Sequence, residues 1–128
     1  MKTQGEIEAA VCEGMNHFEQ DHMGRGPENV HVHLIGDQLV VRLQGVLTVA
    51  EQHLAKTLPA EKGRNLLKDV RTQLTETARP ILETMVREAT GVKVLSLHHD
   101  ISTLTGEKVV IFTLAQAPSF RETKSLTQ

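Results

Sequence analysis

Residues 30–46 alternate between apolar and polar side chains on either side of Gly36-Asp37, and this pattern narrows the fold more than any other feature of the chain. A two-residue turn at Gly36-Asp37 sets Leu34 opposite Leu39, Val32 opposite Val41 and Val30 opposite Leu43. The three apolar pairs share one face, and a slip of one residue would turn the whole set towards solvent. His31, His33, Ile35, Val40 and Arg42 lie on the other face. A second hairpin is expected near the end of the chain. Residues 92–103 alternate, Thr105-Gly106 turns and residues 108–114 return. Pairing Thr103 with Lys108 sets Leu97 opposite Leu114, His99 opposite Phe112 and Ile101 opposite Val110; a three-residue loop with a bulge would shift this register. The second face of this hairpin holds Val94, Ser96, His98, Asp100, Val109, Ile111 and Thr113.

The remaining segments have helical periodicity. Ile7, Val11, Met15, Phe18 and His22 form one stripe and predict a helix over residues 5–23. Gly24-Arg25-Gly26-Pro27 ends it, since Gly accepts a left-handed cap and Pro cannot continue a helix. Thr48-Val49-Ala50-Glu51 has the capping-box pattern and opens a short helix reaching residue 58, interrupted near Pro59. Over residues 61–90, Leu67, Val70, Leu74, Ala78, Ile81, Met85 and Ala89 share a stripe that crosses Pro80 in phase. One long helix kinked at Pro80 is expected, with two helices as the alternative, and Gly91 as the cap. Residues 115–128 are polar and read as a flexible tail beyond a core of residues 5–114.

The order α-ββ-αα-ββ over residues 1–128 therefore predicts a single α+β domain, a four-stranded antiparallel sheet with helices packed on one face. Ile35, Val40, Val94, Val109 and Ile111 make the second face too apolar for plain solvation, so a second copy is expected to cover it in a homodimer.

Composition excludes several functions. Phe18, Phe112 and Phe120 are the only aromatics, so the core is aliphatic and there is no platform on which bases or sugars could stack. The net charge of −2, with Lys and Arg scattered, argues against a nucleic-acid partner. Cys12 stands alone, which rules out an internal disulfide and fits a reducing compartment. Apolar runs such as Val109-Val110-Ile111-Phe112 fall far short of the ~20 residues of a membrane span. Met1-Lys2-Thr3-Gln4-Gly5-Glu6 lacks the apolar stretch of a signal peptide. The expectation is a soluble cytoplasmic protein with no membrane insertion.

Candidate chemistry is sparse. His31 and His33 lie two apart on one strand, as a chelating pair would, and His98 or Asp100 could supply a third ligand for zinc or a similar metal. A strand simply decorated with imidazoles is the simpler reading, and no cofactor is expected. His98 and His99 point to opposite faces and cannot share a site; His99 falls among apolar residues, where a hydrogen-bonded core histidine is commoner. Cys12 sits beside an apolar stripe and reads as a packed thiol. The loop Gly24-Arg25-Gly26-Pro27 could grip an anion through Arg25 and free backbone amides, with Arg42 as a second arm. Helix termination and internal ion pairs are the competing roles for these residues and for Arg79. No nucleophile, base and acid converge in the pattern, so no catalytic residue is assigned and the chain reads as a non-enzyme.

Several segments together carry a resemblance. Gly24-Arg25-Gly26-Pro27, Gly36-Asp37, residues 42–48 (Arg-Leu-Gln-Gly-Val-Leu-Thr) with Ala50-Glu51, and Ala78-Arg79-Pro80 come first. Gly91-Val92-Lys93-Val94, Ser96-Leu97-His98, Asp100-Ile101-Ser102, Thr105-Gly106-Glu107 and Phe112-Thr113-Leu114 follow. In this order, over residues 5–114, the chain resembles the MpsC-like family, a small bacterial domain named for the C component of a sodium-translocating, membrane-potential-generating system. The resemblance implies an accessory or regulatory subunit that acts by protein–protein contact, peripheral to the membrane through a transporter-subunit partner. It carries over no catalytic residues. The alternative is a dimeric sensor of a small anion or nucleotide, built on Arg25, Gly24, Gly26 and Arg42.

Overall fold

The computed structural model of the chain describes residues 1–57 and 59–121. Helix α1 (Gln4–His22) starts at a capping box: the Glu6 amide donates to Thr3 Oγ1 (3.1 Å) and the Thr3 amide donates to Glu6 Oε1 (2.9 Å). It buries Ile7, Val11, Met15 and Phe18. Strands β1 (Asn29–Ile35) and β2 (Gln38–Gln44) follow, turning at Gly36, whose φ of 61° is natural for glycine. Their register pairs Leu34 with Leu39, Val32 with Val41 and Val30 with Leu43, as the sequence predicts.

Helix α2 (Val49–Thr57) has the expected cap between Thr48 and Glu51. The long helix of the sequence reading is instead two, α3 (Ala60–Thr77) and α4 (Arg79–Thr90). Pro80 has no amide to donate back to Glu76, and the chain pauses at Ala78 before Ile81 and Leu82 both bond its carbonyl. Strands β3 (Val94–Ile101) and β4 (Lys108–Leu114) complete the domain. The sheet is antiparallel throughout, in the order β1-β2-β4-β3. Helix α1 lies against β1, α4 against α1 and β3, and α3 against β3, while α2 packs on α3. A glycine permits that last contact: a Cβ at Gly63 would stand 3.0 Å from the Leu54 carbonyl oxygen. The core beneath the helices is aliphatic apart from Phe18 and Phe112.

Two expectations about the second hairpin are corrected. The second hairpin is shifted by two residues, pairing Leu97 with Phe112, His99 with Val110 and Ile101 with Lys108. The turn is longer than two residues: the Ser102 amide donates to Glu107 O and the Gly106 amide to Ser102 O, both at 2.8 Å. An even shift preserves which side chains face inward. A bulge between Val94 and Ser96 does not, and it buries Val94 while turning Leu95 outward. Within the segment read as a tail, the Arg121 amide donates to Lys2 O (2.8 Å) and its guanidinium reaches Met1 O and Glu6. Residues 122–128 of that tail, and Leu58, lie outside the described residues.

The long apolar stripe also sits differently. The inward face of α3 and α4 is Leu67, Arg71, Thr75, Ala78, Leu82, Val86 and Ala89, which leaves Val70, Leu74 and Ile81 between 44% and 50% exposed. Arg71 takes an inward position because its partners are there. Its Nε and Nη2 donate to Glu51 at 2.9 and 2.6 Å, Nη2 also to Val46 O at 3.0 Å, and Nη1 lies 3.7 Å from Glu19 Oε1. Glu19 is fully buried and accepts from Lys108 Nζ at 2.8 Å. Burial pushes the Lys108 ammonium below its usual value against the pull of Glu19. This network ties α1, α2 and α3 to β4. Removing one member of a buried pair strands its partner and costs about 3–5 kcal/mol, whereas replacing both by apolar groups is often close to neutral. Lys108→Met should therefore destabilise the protein by about 3–5 kcal/mol in denaturant titration, and Glu19→Leu with Lys108→Met should recover most of the loss. A single variant as stable as the parent would show that the pair does not hold the layers together.

Candidate functional site

A cleft of about 790 Å³ lies at one end of the sheet. Its walls are the loop after α1, the segment leaving β2, the exposed side of α2 and the β3–β4 turn. Gly24, with φ of 85°, turns the chain out of α1 and aims Arg25 at the start of α2. Arg25 Nη1 donates to Leu47 O at 3.0 Å, and Nη2 reaches Glu28 Oε1 at 3.4 Å. Arg71 holds Val46 O from the opposite side, Gln52 Nε2 donates to Leu47 O (3.1 Å), and the Val46 amide donates to Gly106 O (3.3 Å). Residues 45–48 are thus clamped by two guanidiniums, an amide and the far turn. Three of the sequence motifs, at residues 24–27, 42–51 and 105–107, meet at this one place.

The structure separates the four residues expected to form an anion site. Arg25 lines the cleft, but Gly24 and Gly26 serve the chain reversal outside the lining. Arg42 points from the outer sheet face, where its Nε and Nη2 donate to Glu107 Oε2 at 3.2 and 2.8 Å. Of that pair only Glu107 lines the cleft. The sequence reading missed Lys56, Gln44, Gln52 and Thr103, which line the cleft beside Arg25. Nothing in their local patterns marks them, because only the chain's return brings the β3–β4 turn against α2. The lining offers cations from Arg25 and Lys56, carboxylates from Glu28 and Glu107, and amides and hydroxyls from Gln44, Gln52, Thr103 and Thr105.

The histidines lie elsewhere. His31 and His33 are exposed on β1 and His98 is exposed on β3, at opposite edges of the sheet. Three strand spacings of about 4.8 Å separate the pair from its expected third ligand, well beyond metal-ligand reach. Among the described residues no three His, Cys, Asp or Glu side chains come together to hold a metal ion. His99 turns inward, with Nε2 3.1 Å from Glu76 Oε2. Asp100 turns outward to Lys68 (3.0 and 3.3 Å), and with the Ile101 amide that ammonium keeps its carboxyl below the usual range. Cys12 is half-buried, its thiol 3.9 Å from Val30 O. Arg79 pairs with Glu83 at 2.7 Å and with Glu76 at 3.6 Å.

These features define a small α+β domain whose shared motifs build a clamped cleft and whose other charged candidates are paired internally. Residues 3–116 match the family described as the Na+-translocating membrane potential-generating system (MpsC), and the chain belongs to that family. It is 34% identical over 113 residues to the uncharacterized protein YbcI of Bacillus subtilis (strain 168), covering 88% of this chain and 89% of that relative. No solved structure matches the chain significantly.

Glu51 links the cleft to the buried network and gives it a pH signature. Burial pushes its carboxyl up, but Arg71 and the Thr48 amide and hydroxyl outweigh this and hold it below the usual value. A carboxyl depressed in the folded state stabilises above its unfolded value, and the stabilisation is lost as pH falls through the folded one. The unfolding temperature should therefore drop between about pH 5 and pH 2, and Glu51→Gln should flatten part of that slope. Parallel profiles for parent and variant would contradict this role.

Proposed function

We propose that the protein is a non-enzymatic accessory or regulatory component of the membrane-potential-generating system its family is named for, acting by contact with another protein. No helix among the described residues is long and apolar enough to cross a membrane, which supports a role exercised through a partner. One observation carries the reading. Arg25, Arg42, Arg79 and Asp100, the charged candidates of the sequence, are each paired within the fold, whereas an apolar row on α3 stands open. Leu66, Val70 and Leu74 follow one another at four-residue spacing along α3, each 44–47% exposed, and Ile81 extends the row onto α4 at 50%. An apolar row of this kind fits the recognition of a partner's hydrophobic groove or helix.

The test is affinity capture with the full chain from membrane and soluble fractions of a bacterium that expresses it. A defined partner, retained by the parent and lost with Val70→Asp, is expected. Equal capture by the variant, or capture of nothing, would remove the proposal.

The cleft favours a second reading, a sensor for a small anion or nucleotide, because Arg25 and Lys56 face the same cavity. A ligand at 100 times its dissociation constant would stabilise the fold by about 2.7 kcal/mol, a readily measured thermal shift. Phosphate, bicarbonate and nucleotides should shift the parent more than Arg25→Ala with Lys56→Ala. The absence of any shift across the panel excludes the sensor.

A further inference from the structure

The outer face of the sheet lies opposite the helices of the described residues, and its side chains fall into rows fixed by strand register. The central row is His33, Val40, Ile111 and His98, one residue from each strand in spatial order. It reads the same from either edge: imidazole, branched aliphatic, branched aliphatic, imidazole. The next row is His31, Arg42, Val109 and Asp100. Arg42 is paired with Glu107 and Asp100 with Lys68 of α3, leaving the His31 imidazole at one edge and a carboxylate still 74% exposed at the other. Ile35 and Leu95 add apolar surface at 65% and 59% exposure.

We infer that this face is occupied by a second copy of the chain, related by a two-fold axis parallel to the strands. Such an axis reverses strand order and preserves rows. Val40 of each protomer then meets Ile111 of its partner beside the axis, and His31 meets Asp100 twice, once on each side. The alternative in-plane axis, across the strands, would lay each strand over its own copy with the rows reversed, so His31 and Asp100 would never meet. A palindromic centre with complementary ends is what an isologous contact requires.

The edges of the sheet favour stacking of faces over lateral extension. On β1, Glu8 accepts from the Leu34 amide (2.9 Å) and Gln4 donates to its carbonyl (3.0 Å), so α1 already occupies that edge at Leu34. On β3, the bulge at Leu95 interrupts the free rim. Four strands of seven or eight residues present a face of roughly 20 by 25 Å. Two such faces bury an area near the lower end of what specific association needs, so the dimer should be reversible at micromolar concentrations.

The inference is independent of the α3 row, and its test separates the two. Sedimentation of the parent should show a concentration-dependent dimer, and Val40→Asp with Ile111→Asp should weaken it at least tenfold while Val70→Asp leaves it unchanged. In a Cys12→Ser background, His31→Cys with Asp100→Cys should give a covalent dimer under mild oxidation, and His31→Cys alone should not. This second arm does not depend on whether the doubly charged variant folds. A monomer at millimolar concentration, a dimer unaffected by the Val40 and Ile111 changes, or cross-linking by His31→Cys alone overturns the arrangement. Partner capture by a parent protein that sediments as a monomer would leave the accessory reading intact while this one falls.

Discussion

Four charges inside an aliphatic domain set the terms for the rest of the structure. Glu19, Arg71 and Lys108 are almost wholly inaccessible, and Glu51 closes the network at the start of α2. Each buried ion is costly alone, and each is tolerable only with its partner in place. The consequence is positional specificity. Leu, Val and Ile can slide past one another with modest loss, but a lysine on β4 must find the one carboxylate on α1 that answers it. The same arginine that completes the network also holds Val46 O, so the floor of the cleft is fixed by the force that fixes the helices.

The network also explains which parts of the fold the sequence could reveal. The first hairpin was legible to the register, because period-two alternation and the Gly36-Asp37 turn point to the same pairing. Both capping boxes belong to this class for α1 and α2, although only the second was recognised in advance. The stripe on α3 was misplaced because hydrophobicity was followed and Arg71 was not. Charged residues in apolar phase were the missed signal: Glu19 beside Phe18 and one turn from Met15, Arg71 one turn from Leu67, and Lys108 two residues from Val110 on the inward face. The β3–β4 register failed for a different reason. Ser102 and Glu107 bond across the turn, and turn length is weakly encoded when Thr, Gly and Ser all allow several geometries.

The site was less legible than the fold. Arg25 reads from the sequence as an anion-gripping residue of its loop; in the structure it lines the cleft and its guanidinium braces residues 45–48 through Leu47 O. Arg42 shares only Glu107 with that cleft, and the histidine pair on β1 was set against a third ligand that the strand order places on the far edge. Order across a sheet is a tertiary property that hairpin patterns do not contain. The motifs of the family resemblance are better understood in three dimensions, where three of them form one clamp and Ala78-Arg79-Pro80 sets the break between α3 and α4.

The way α1 covers the first strand has a further consequence. The rim of β1 is stoppered by side chains of Gln4 and Glu8, which lie in the opening turns of the helix, rather than by another backbone. Those amides and carbonyls become free whenever the helix peels away, and a bare rim is a template for runaway strand addition. The tendency to form fibrils is thereby coupled to how often the first turns of α1 fray, and the small hydroxyl cap at Thr3 acts as a gatekeeper for the whole molecule.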